Sequence, residues 1–253
     1  MEKVHIVLIT RGNTGIGYEP LPRKGKTAIS AIRDKHEYWN EEIQPIQLDI
    51  EDDQSIQDAF TEVKDKYGRI DTLINNAGGS FDGLMRNDSS TSAIRAAWNK
   101  SYSVNVTSTQ VVTTTFMPLL LASSSPRLLF VTSGLSSLNT AANGKISATI
   151  RETSKRGWPK PFTPSQIAYR SSKTALNMMM LDWVRQLEPD GVKVFGISPG
   201  FLATGLSGMG SEFMRNIGAG DPSTGGDFIR DVVEGKRDED AGKIINRDGV
   251  QPR

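Results

Sequence analysis

Short apolar runs rich in β-branched residues alternate along this chain with longer stretches that repeat apolar residues at helical spacing. The apolar runs, which predict buried strands, are Val4 to Thr10, Pro45 to Ile50, Asp71 to Gly78, Arg127 to Ser133 and Val192 to Gly200. The helical stretches are Asp53 to Tyr67, Ser101 to Ala122 and Gln166 to Leu187. A weaker strand, Lys243 to Asn246, follows a helix that Pro222 would start. Alternation of this kind indicates a parallel sheet covered by helices. We therefore expect an α/β fold with a doubly wound parallel sheet in a three-layer sandwich.

Composition limits the kinds of partner that this chain would bind. With 253 residues and 37% apolar content, it is long enough for one full core, and we expect a single domain over residues 1–253. The 30 Lys and Arg nearly balance the 29 Asp and Glu, and no charged block of the kind that binds nucleic acid is present. Without cysteine and with two histidines, His5 and His36, the sequence favours neither disulfides nor a metal site. The N-terminal apolar run is too short to span a membrane and lacks a signal-peptide cleavage pattern. These features predict a cytoplasmic protein with a small-molecule ligand and no nucleic-acid or membrane partner.

A glycine-rich loop follows the first predicted strand. In GNTGIG, the glycines Gly12, Gly15 and Gly17 stand where a strand would pass into a helix. Glycine lets the backbone approach a pyrophosphate, and the N–H groups at a helix start attract its charge. The loop is therefore a candidate dinucleotide-binding site, and the alternative is an ordinary turn between strand and helix.

A second motif lies far along the chain. Tyr169 and Lys173 are four residues apart, so they share one face of the predicted helix. A phenol with a pKa of about 10 is a weak acid at neutral pH, but a nearby ammonium favours the phenolate and makes proton transfer easier. Ser133, at the end of a strand, is placed to hold a substrate carbonyl oxygen. The alternative reading is a capping serine and a surface tyrosine.

Taken together, the ordered motifs resemble the short-chain dehydrogenase/reductase family over nearly the whole chain. The matching residues are Gly12, Gly15, Gly17, Asp49, Asn75 to Gly78, Asn105, Ser133, Tyr169, Lys173 and Pro199 to Thr204. The resemblance implies a Rossmann-type fold and a nicotinamide cofactor. It also implies that Tyr169 protonates the carbonyl oxygen and that Ser133 positions it. Lys173 would lower the pKa of Tyr169 and bind the nicotinamide ribose, while Asn105 would hold a water molecule in a proton relay.

The same resemblance assigns the residues that would hold the cofactor. Asp49 should face the adenine, Asn75 should lie along the adenosine, and the backbone from Phe201 to Thr204 should meet the nicotinamide carboxamide. The full set of expected cofactor-binding residues is Gly12, Asn13, Gly15, Ile16, Gly17, Asp49, Ile50, Asn75, Ala77, Gly78, Tyr169, Lys173, Pro199, Gly200, Leu202 and Thr204. As alternatives, Asn75 and Asn76 would tie neighbouring strands together, and Asp49 would cap the structure that follows it.

One departure from the family pattern is a long insertion, residues 134–165, between Ser133 and Tyr169. Loops of this length usually carry function or structure of their own. The insertion is similar to that of the carbonyl-reductase branch of plant and fungal ketone reductases, in which an extra helical segment covers the oligomerisation face. The resemblance therefore predicts a monomer. Within the insertion, Trp158 and Phe162 would line a substrate pocket or pack into the core.

The other departure is a shortened segment between Gly17 and Ile43. Pro20 and Pro22 stop a helix that has hardly begun, and one amphipathic helix, Lys26 to Trp39, is the element that remains. We infer that the second strand and most of the first helix of the family fold are missing. The loss would uncover an apolar flank of the sheet or let the third strand move beside the first. It also removes the strand end where the family selects NAD or NADP.

Arg11 adds a further difference, because it stands where the family has its first glycine. We expect a steric cost there, although a guanidinium is also able to bind phosphate. The function that the sequence favours is that of an NADPH-dependent reductase of small or medium-sized apolar ketones and aldehydes, with NAD as the other cofactor. The alternatives are a non-enzymatic relative with impaired cofactor binding, such as a truncated or splice-variant form, and an isomerase or epimerase of the same fold.

Overall fold

The computed structural model describes residues 5–11, 43–144, 156–158, 160 and 165–252. Its strands are β1 (Val7–Ile9), β2 (Thr72–Asn75), β3 (Arg127–Val131), β4 (Lys193–Ile197), β5 (Ile244–Asn246) and β6 (Gly249–Val250). Its α-helices are α1 (Asp53–Tyr67), α2 (Thr91–Tyr102), α3 (Ser108–Leu121), α4 (Leu138–Ala142), α5 (Ile167–Leu187), α6 (Ser211–Asn216) and α7 (Pro222–Val233). Short 3₁₀ turns cover Asp82–Met85, Gly134–Ser136, Gly205–Ser207 and Asp238–Asp240, and a π-helical turn covers Ser103–Thr107. The predicted glycine loop and the predicted helix Lys26 to Trp39 lie outside the described residues.

Among the described residues, the strands form one six-stranded sheet in the order β1 to β6. The first five run parallel, and β6 returns antiparallel to β5. Each parallel connection carries at least one helix, and the sheet has helices on both faces. The predicted α/β fold with a doubly wound parallel sheet is confirmed.

One predicted strand is wrong. Residues 43–49 form no strand in the structure, although the sequence predicts one over Pro45 to Ile50. Ile46, Leu48 and Ile50 are partly buried against the core, while the residues between them are exposed. The alternation therefore reflects one-sided apolar packing and not membership of the sheet. Pro45 also lacks the N–H donor that a ladder needs.

The first strand is short and lies at one side of the described sheet. Within the part of the chain that the structure describes, β1 is paired with β2 alone. Val7 in β1 is 42% exposed, whereas all four residues of β2 are buried. The expected uncovered flank beside β1 depends on residues 12–42, which lie outside the described residues.

The core has two layers because successive residues of a strand point to opposite faces. In β3, Leu128 and Phe130 belong to a cluster with side chains of α1, α3 and α5. Their neighbours Leu129 and Val131 belong to a second cluster with Phe228, Ile229 and Val232 of α7. Each fully buried Leu or Phe contributes roughly 1.5–3 kcal/mol. Burial on both faces explains why the strands read as unbroken apolar runs in the sequence.

The predicted helix over Ser101 to Ala122 differs from the observed one. The helical region begins ten residues earlier, at Thr91, where the side chain of Ser90 accepts a hydrogen bond from the N–H of Ala93 (3.2 Å). It is also interrupted by the π-helical turn Ser103–Thr107, which separates α2 from α3. A π-helical turn inserts an extra residue into the helix and often marks a functional position. Here it contains Asn105.

The insertion is partly described. Its first residues form the 3₁₀ turn Gly134–Ser136 and the short helix α4. Trp158 is 86% exposed, so it does not pack into the core, and Phe162 lies outside the described residues. In the described part of the chain, no helix combines the length and the apolar character needed to cross a membrane.

Candidate active site

The candidate catalytic residues meet at the carboxyl ends of the parallel strands. Ser133 follows β3, Asn105 lies in the π-helical turn, and Tyr169 and Lys173 occupy the first two turns of α5. In open α/β sheets this edge is where ligands bind, because loops from neighbouring strands converge there. The tertiary fold thus brings together four residues, the first and last of which are 68 residues apart in the sequence.

Tyr169 and Lys173 are both buried, with exposed fractions of 5% and 4%. The Tyr169 phenol is hydrogen-bonded to the side chain of Ser133. The ammonium of Lys173 lies 6.0 Å from the centroid of the Tyr169 ring and donates a hydrogen bond to the carbonyl oxygen of Val131 (2.8 Å). The phenol, the hydroxyl and the ammonium therefore form one compact group.

Burial changes the proton affinity of this group. It raises the pKa of Tyr169 to about 12, and the hydrogen bond from Ser133 opposes the rise without cancelling it. We expected Lys173 to lower the pKa of Tyr169; the net shift of that pKa is upward, and burial is its largest cause. The reason is that loss of hydration destabilises the phenolate more than the hydrogen bond from Ser133 stabilises it. Burial also lowers the pKa of Lys173 to about 8.

Asn105 is fully buried and forms a hydrogen-bonded bridge. Its side-chain oxygen accepts from the N–H of Gly79 (2.8 Å), and its amide nitrogen donates to the carbonyl oxygen of Gly79 (2.9 Å) and to the hydroxyl of Ser172 (2.9 Å). Gly78 lies beside this bridge. A Cβ at Gly78 would fall 2.9 Å from the Asn105 Oδ1 and 3.2 Å from the Lys173 Nζ. Glycine is required there because the backbone approaches these side chains so closely.

Ser133 serves two roles at once. Its hydroxyl accepts a hydrogen bond from the N–H of Leu135 (3.2 Å), as the capping alternative expected, and also bonds Tyr169. Its carbonyl oxygen accepts from the hydroxyl of Ser136 (2.5 Å) and from the amide of Gln251 (3.3 Å). These contacts hold the serine in place at the strand end.

Asn75 and Asn76 support the loop after β2. The amide of Asn75 donates to the hydroxyl of Thr113 in α3 (2.9 Å), and its side-chain oxygen has no hydrogen-bond partner among the described residues. The amide of Asn76 donates to the carbonyl oxygen of Thr10 (3.1 Å), which ties the ends of β1 and β2 together. Asn76 therefore makes a strand-linking contact of the kind that the alternative reading expected, whereas Asn75 joins β2 to helix α3.

Arg11 has a left-handed backbone conformation, with φ of 53°. Such a conformation favours glycine and costs other residues roughly 1–2 kcal/mol. Arg11 thus adopts, at this cost, a backbone conformation of the kind that glycine adopts readily. Its guanidinium donates a hydrogen bond to the carbonyl oxygen of Gly78, so it contacts the loop that follows β2.

Asp49 and Ile50 make local contacts. The carboxylate of Asp49 accepts from the N–H of Glu51 (3.0 Å), and its own N–H donates to the hydroxyl of Ser55 (2.9 Å). Asp49 is exposed, and Ile50 packs against the core. These bonds organise the turn that leads into α1.

The segment Pro199 to Thr204 leaves β4 and pairs with the loop before α7. Gly200 has a positive φ of 102°, and Leu202 forms a parallel bridge with Gly220. The hydroxyl of Thr204 accepts a hydrogen bond from the N–H of Leu206 (3.4 Å). The remaining predicted cofactor residues, Gly12, Asn13, Gly15, Ile16 and Gly17, lie outside the described residues.

Two residues that contact this site were not predicted. Asp82 accepts hydrogen bonds from the N–H groups of Ala168 and Tyr169, and Gln251 bonds the backbone of Ser133. Neither stands in a recognisable motif. Asp82 does follow the NNAG motif within a few residues, and this proximity is the one sequence signal that places it near the site.

Comparison with known proteins agrees with this arrangement. The sequence model of the family "short chain dehydrogenase" matches residues 5–149 and 153–213. The chain is 42% identical to the short-chain dehydrogenase/reductase tropE of Talaromyces stipitatus, over 97% of each chain. It is also 42% identical to the short-chain dehydrogenase/reductase eupG of a Phoma species, over 98% of this chain and 97% of that one. Among solved structures, an NADPH-bound carbonyl reductase from chicken fatty liver superposes with a TM-score of 0.73 at 16% identity, over 98% of each chain.

The chain therefore belongs to the short-chain dehydrogenase/reductase family and is an oxidoreductase of that family. A nicotinamide cofactor and a small-molecule substrate follow from membership. The chicken structure is too distant in sequence to show more than the shared fold. The alignment with tropE spans 268 positions, more than the 253 residues of this chain, so tropE has residues without a counterpart here.

The described residues fit the nicotinamide end of such a cofactor. An ammonium has three N–H donors, and among the described residues one of those on Lys173 is used by the Val131 carbonyl oxygen. Because Gly78 has no side chain, it is the backbone of this residue that lies close to the Lys173 ammonium. The donor set is thus suited to the hydroxyls of a ribose.

Proposed function

We propose that this protein reduces the carbonyl group of a small or medium-sized apolar ketone or aldehyde with NADPH, and catalyses the reverse alcohol oxidation. The observation that carries the proposal is the group formed by the buried Tyr169 and Lys173 with the partly buried Ser133, in which a protonated phenol is hydrogen-bonded to a strand-end hydroxyl. Such a pair is able to bind one carbonyl oxygen from two directions.

Tyr169 is the proton donor. Because burial raises its pKa to about 12, the phenol keeps its proton at neutral pH and is ready to transfer it to an alkoxide. The cofactor, when bound, supplies the hydride that turns the carbonyl into that alkoxide. Ser133 orients the oxygen, and the ammonium of Lys173 stabilises the phenolate that remains after transfer.

Asn105 holds the water molecule through which the phenol regains its proton. Both hydrogens of its amide nitrogen are already donated, to Gly79 and to Ser172, so a carbonyl oxygen of Asn105 would accept the hydrogen bond from that water. Cofactor binding is assigned to Gly12, Asn13, Gly15, Ile16, Gly17, Asp49, Ile50, Asn75, Ala77, Gly78, Tyr169, Lys173, Pro199, Gly200, Leu202 and Thr204.

The preference for an apolar substrate rests on the loops beyond the strand ends. Large apolar side chains are exposed there, namely Phe201 (53%), Leu206 (38%) and Phe213 (47%). All three follow β4 on the chain, close to the segment that leaves the site. An apolar ligand would cover this surface and remove it from water.

NADPH is proposed in preference to NADH. The carbonyl reductase from chicken fatty liver, which shares the fold, is described as NADPH-bound. We also propose that residues 1–253 form one monomeric, cytoplasmic domain in which residues 134–165 are the insertion. Size-exclusion chromatography with light scattering tests the monomer directly.

Thermal unfolding in the presence of each cofactor tests the proposal. A ligand at 100 times its dissociation constant raises the free energy of unfolding by about 2.7 kcal/mol. We expect a rise in melting temperature with NADPH and a smaller one with NADH. Failure of both cofactors to stabilise the protein would contradict the reductase function and favour a non-enzymatic relative.

Turnover is the second part of the test. NADPH oxidation with a panel of apolar ketones and aldehydes should fall by about a hundredfold or more in Tyr169→Phe, since general-acid catalysis is lost. NADPH binding by that variant should be retained. Unchanged turnover in Tyr169→Phe would remove Tyr169 as the proton donor.

A further inference from the structure

The catalytic helix α5 is not capped by the residue at its own N-cap position. The residue at its N-cap, Gln166, has a left-handed backbone (φ 51°), and its side chain makes no capping hydrogen bond. The first N–H groups of an α-helix have no partner within the helix, and burying them unsatisfied costs free energy. A group from elsewhere in the chain is needed at this end.

Asp82 is that group. Its Oδ1 accepts a hydrogen bond from the N–H of Ala168 (2.9 Å), and its Oδ2 accepts one from the N–H of Tyr169 (3.0 Å). Asp82 is 7% exposed, so the two bonds are shielded from water. A carboxylate is also stabilised at the positive end of the helix dipole. The backbone of the proton donor itself is thus bound to a carboxylate more than 80 residues away in sequence.

The turn that carries Asp82 is joined to the cofactor side of the site. It begins three residues after Gly79, whose N–H and carbonyl both bond the Asn105 side chain (2.8 and 2.9 Å). Between them, Phe81 packs so closely on Gly79 that a Cβ there would fall 2.7 Å from the ring. The Asn105 hydrogen bonds thus hold one end of this loop, and the hydrogen bonds to Asp82 join the other end to α5.

The other side of the Tyr169 peptide is held as well. The carbonyl oxygen of Tyr169 accepts a hydrogen bond from the hydroxyl of Ser172 (2.7 Å), and that hydroxyl accepts one from the Asn105 amide (2.9 Å). Tyr169 is therefore fixed through its N–H by Asp82 and through its carbonyl by Ser172. Both connections lead back to the loop that follows β2.

We propose that Asp82 is a positioning residue that sets where the Tyr169 phenol lies relative to Ser133 and to the Gly78–Gly79 loop. This role rests on the proposed function of Tyr169 as proton donor. As a positioning residue, Asp82 contacts neither the substrate nor the cofactor. It acts through the backbone of Tyr169, where a shift of about 1 Å would cost up to a hundredfold in rate.

The test compares Asp82→Asn with the matched control Asp52→Asn. Asp52 caps α1 through hydrogen bonds from the N–H groups of Gln54 (2.9 Å) and Ser55 (3.3 Å), so it is also a carboxylate cap at a helix start. In Asp82→Asn, one side-chain oxygen is replaced by a donor that faces a backbone N–H. We expect kcat per cofactor-binding site to fall between about ten- and a hundredfold, while KM and the NADPH dissociation constant change less than about threefold. Asp52→Asn should keep the kcat of the unmodified protein.

A crystal structure of Asp82→Asn gives a readout that does not depend on turnover. We expect the Tyr169 phenol to have left its hydrogen bond with Ser133. If kcat per binding site is unchanged, or if the phenol remains bonded to Ser133, Asp82 is only a helix cap and the proposal is overturned. If the unmodified protein reduces no carbonyl at all, the proposed function fails, and the position of the phenol in the variant still decides the role of Asp82.

A second variant covers the case in which Asp82→Asn does not fold. Asp82→Glu keeps the charge and moves the carboxylate by one methylene group. We expect this variant to fold and to lose at least about fivefold in kcat, because α5 is capped at a displaced position. Full activity in a folded Asp82→Glu would overturn the proposal.

Discussion

The Lys173 ammonium and the Tyr169 ring, 6.0 Å from the nitrogen to the ring centroid, are buried together, and burial moves their pKa values in opposite directions. The pKa of Tyr169 rises to about 12, and that of Lys173 falls to about 8. Each shift disfavours the charged form, since a buried charge has lost its hydration. At neutral pH the pair therefore consists of a neutral phenol and an ammonium that is held at a cost in stability.

That cost predicts how stability depends on pH. Between about pH 8 and pH 10 the unfolded chain, in which a lysine has a pKa of about 10.4, binds more protons than the folded protein, so the free energy of unfolding rises with pH. We expect a contribution on the order of 2 kcal/mol from Lys173 over this interval. Above about pH 10 the raised pKa of Tyr169 acts in the opposite sense, because the unfolded chain loses that proton first.

Urea unfolding between pH 7 and pH 10 measures this contribution. This rise in the free energy of unfolding should be absent from the curve of Lys173→Met, while Lys64→Met, at an exposed position of α1, should retain it. Parallel curves for the unmodified protein and Lys173→Met would show that Lys173 is not buried as a charge.

Replacement of Arg11 should strengthen cofactor binding. Arg11→Gly removes the bulky side chain, and we expect the NADPH dissociation constant to fall by about tenfold, a gain of roughly 1.4 kcal/mol. The left-handed backbone is present without cofactor, so relief of its cost should instead raise the free energy of unfolding. Arg11→Ala removes the side chain but keeps the backbone cost, so it separates the two effects. Isothermal titration of both variants with NADPH makes the comparison. Weaker binding in both would mean that the guanidinium itself holds a cofactor phosphate.

Gly78 should not tolerate a side chain. A Cβ there would lie 2.9 Å from Asn105 Oδ1, so Gly78→Ala must displace the buried amide or the loop. We expect a loss of roughly 1–3 kcal/mol in stability and a fall of at least about tenfold in turnover. Gly226→Ala in α7, where a Cβ meets nothing within 4 Å, is the control and should gain up to about 1 kcal/mol. Equal behaviour of the two alanine variants in melting and turnover assays would refute the close approach at Gly78.

Asp238 should contribute to stability at neutral pH and lose that contribution in acid. Its carboxylate pairs with the buried Arg127 and with Lys193, and the hydrogen bond from Arg127 is the largest of the effects that lower its pKa to about 2. A carboxyl with a depressed pKa stabilises the fold above its unfolded pKa of about 3.9, and the effect disappears as pH falls toward 2.

Chemical unfolding of Asp238→Asn checks this expectation. At pH 7 we expect the variant to be less stable by about 1–2 kcal/mol, with the difference shrinking below pH 4. The exposed Asp248→Asn should change stability by less than about 0.5 kcal/mol. A difference for Asp238→Asn that persists at pH 2 would show that charge is not its cause.

Helix α1 shows how much local sequence is able to predict. Asp52 caps its first turn, and Gly68 ends it in a left-handed conformation (φ 69°), so the predicted bounds Asp53 to Tyr67 are those observed. Caps act through hydrogen bonds within a few residues, and their pattern is readable without the rest of the fold. Residues 43–49 show the limit, because apolar spacing predicts burial on one side but not a hydrogen-bonded neighbour.

The sequence by itself determined the alternating α/β fold, the family and the pairing of Tyr169 with Lys173 on one helix face, since each depends on periodicity or on short ordered motifs. Only the tertiary structure decided the environment of that pair. Burial of the phenol, the Gln251 contact to Ser133 and the capping of α5 by Asp82 all join residues distant in sequence. Desolvation and long-range hydrogen bonds depend on which surfaces meet in the fold, and a local sequence pattern does not contain that information.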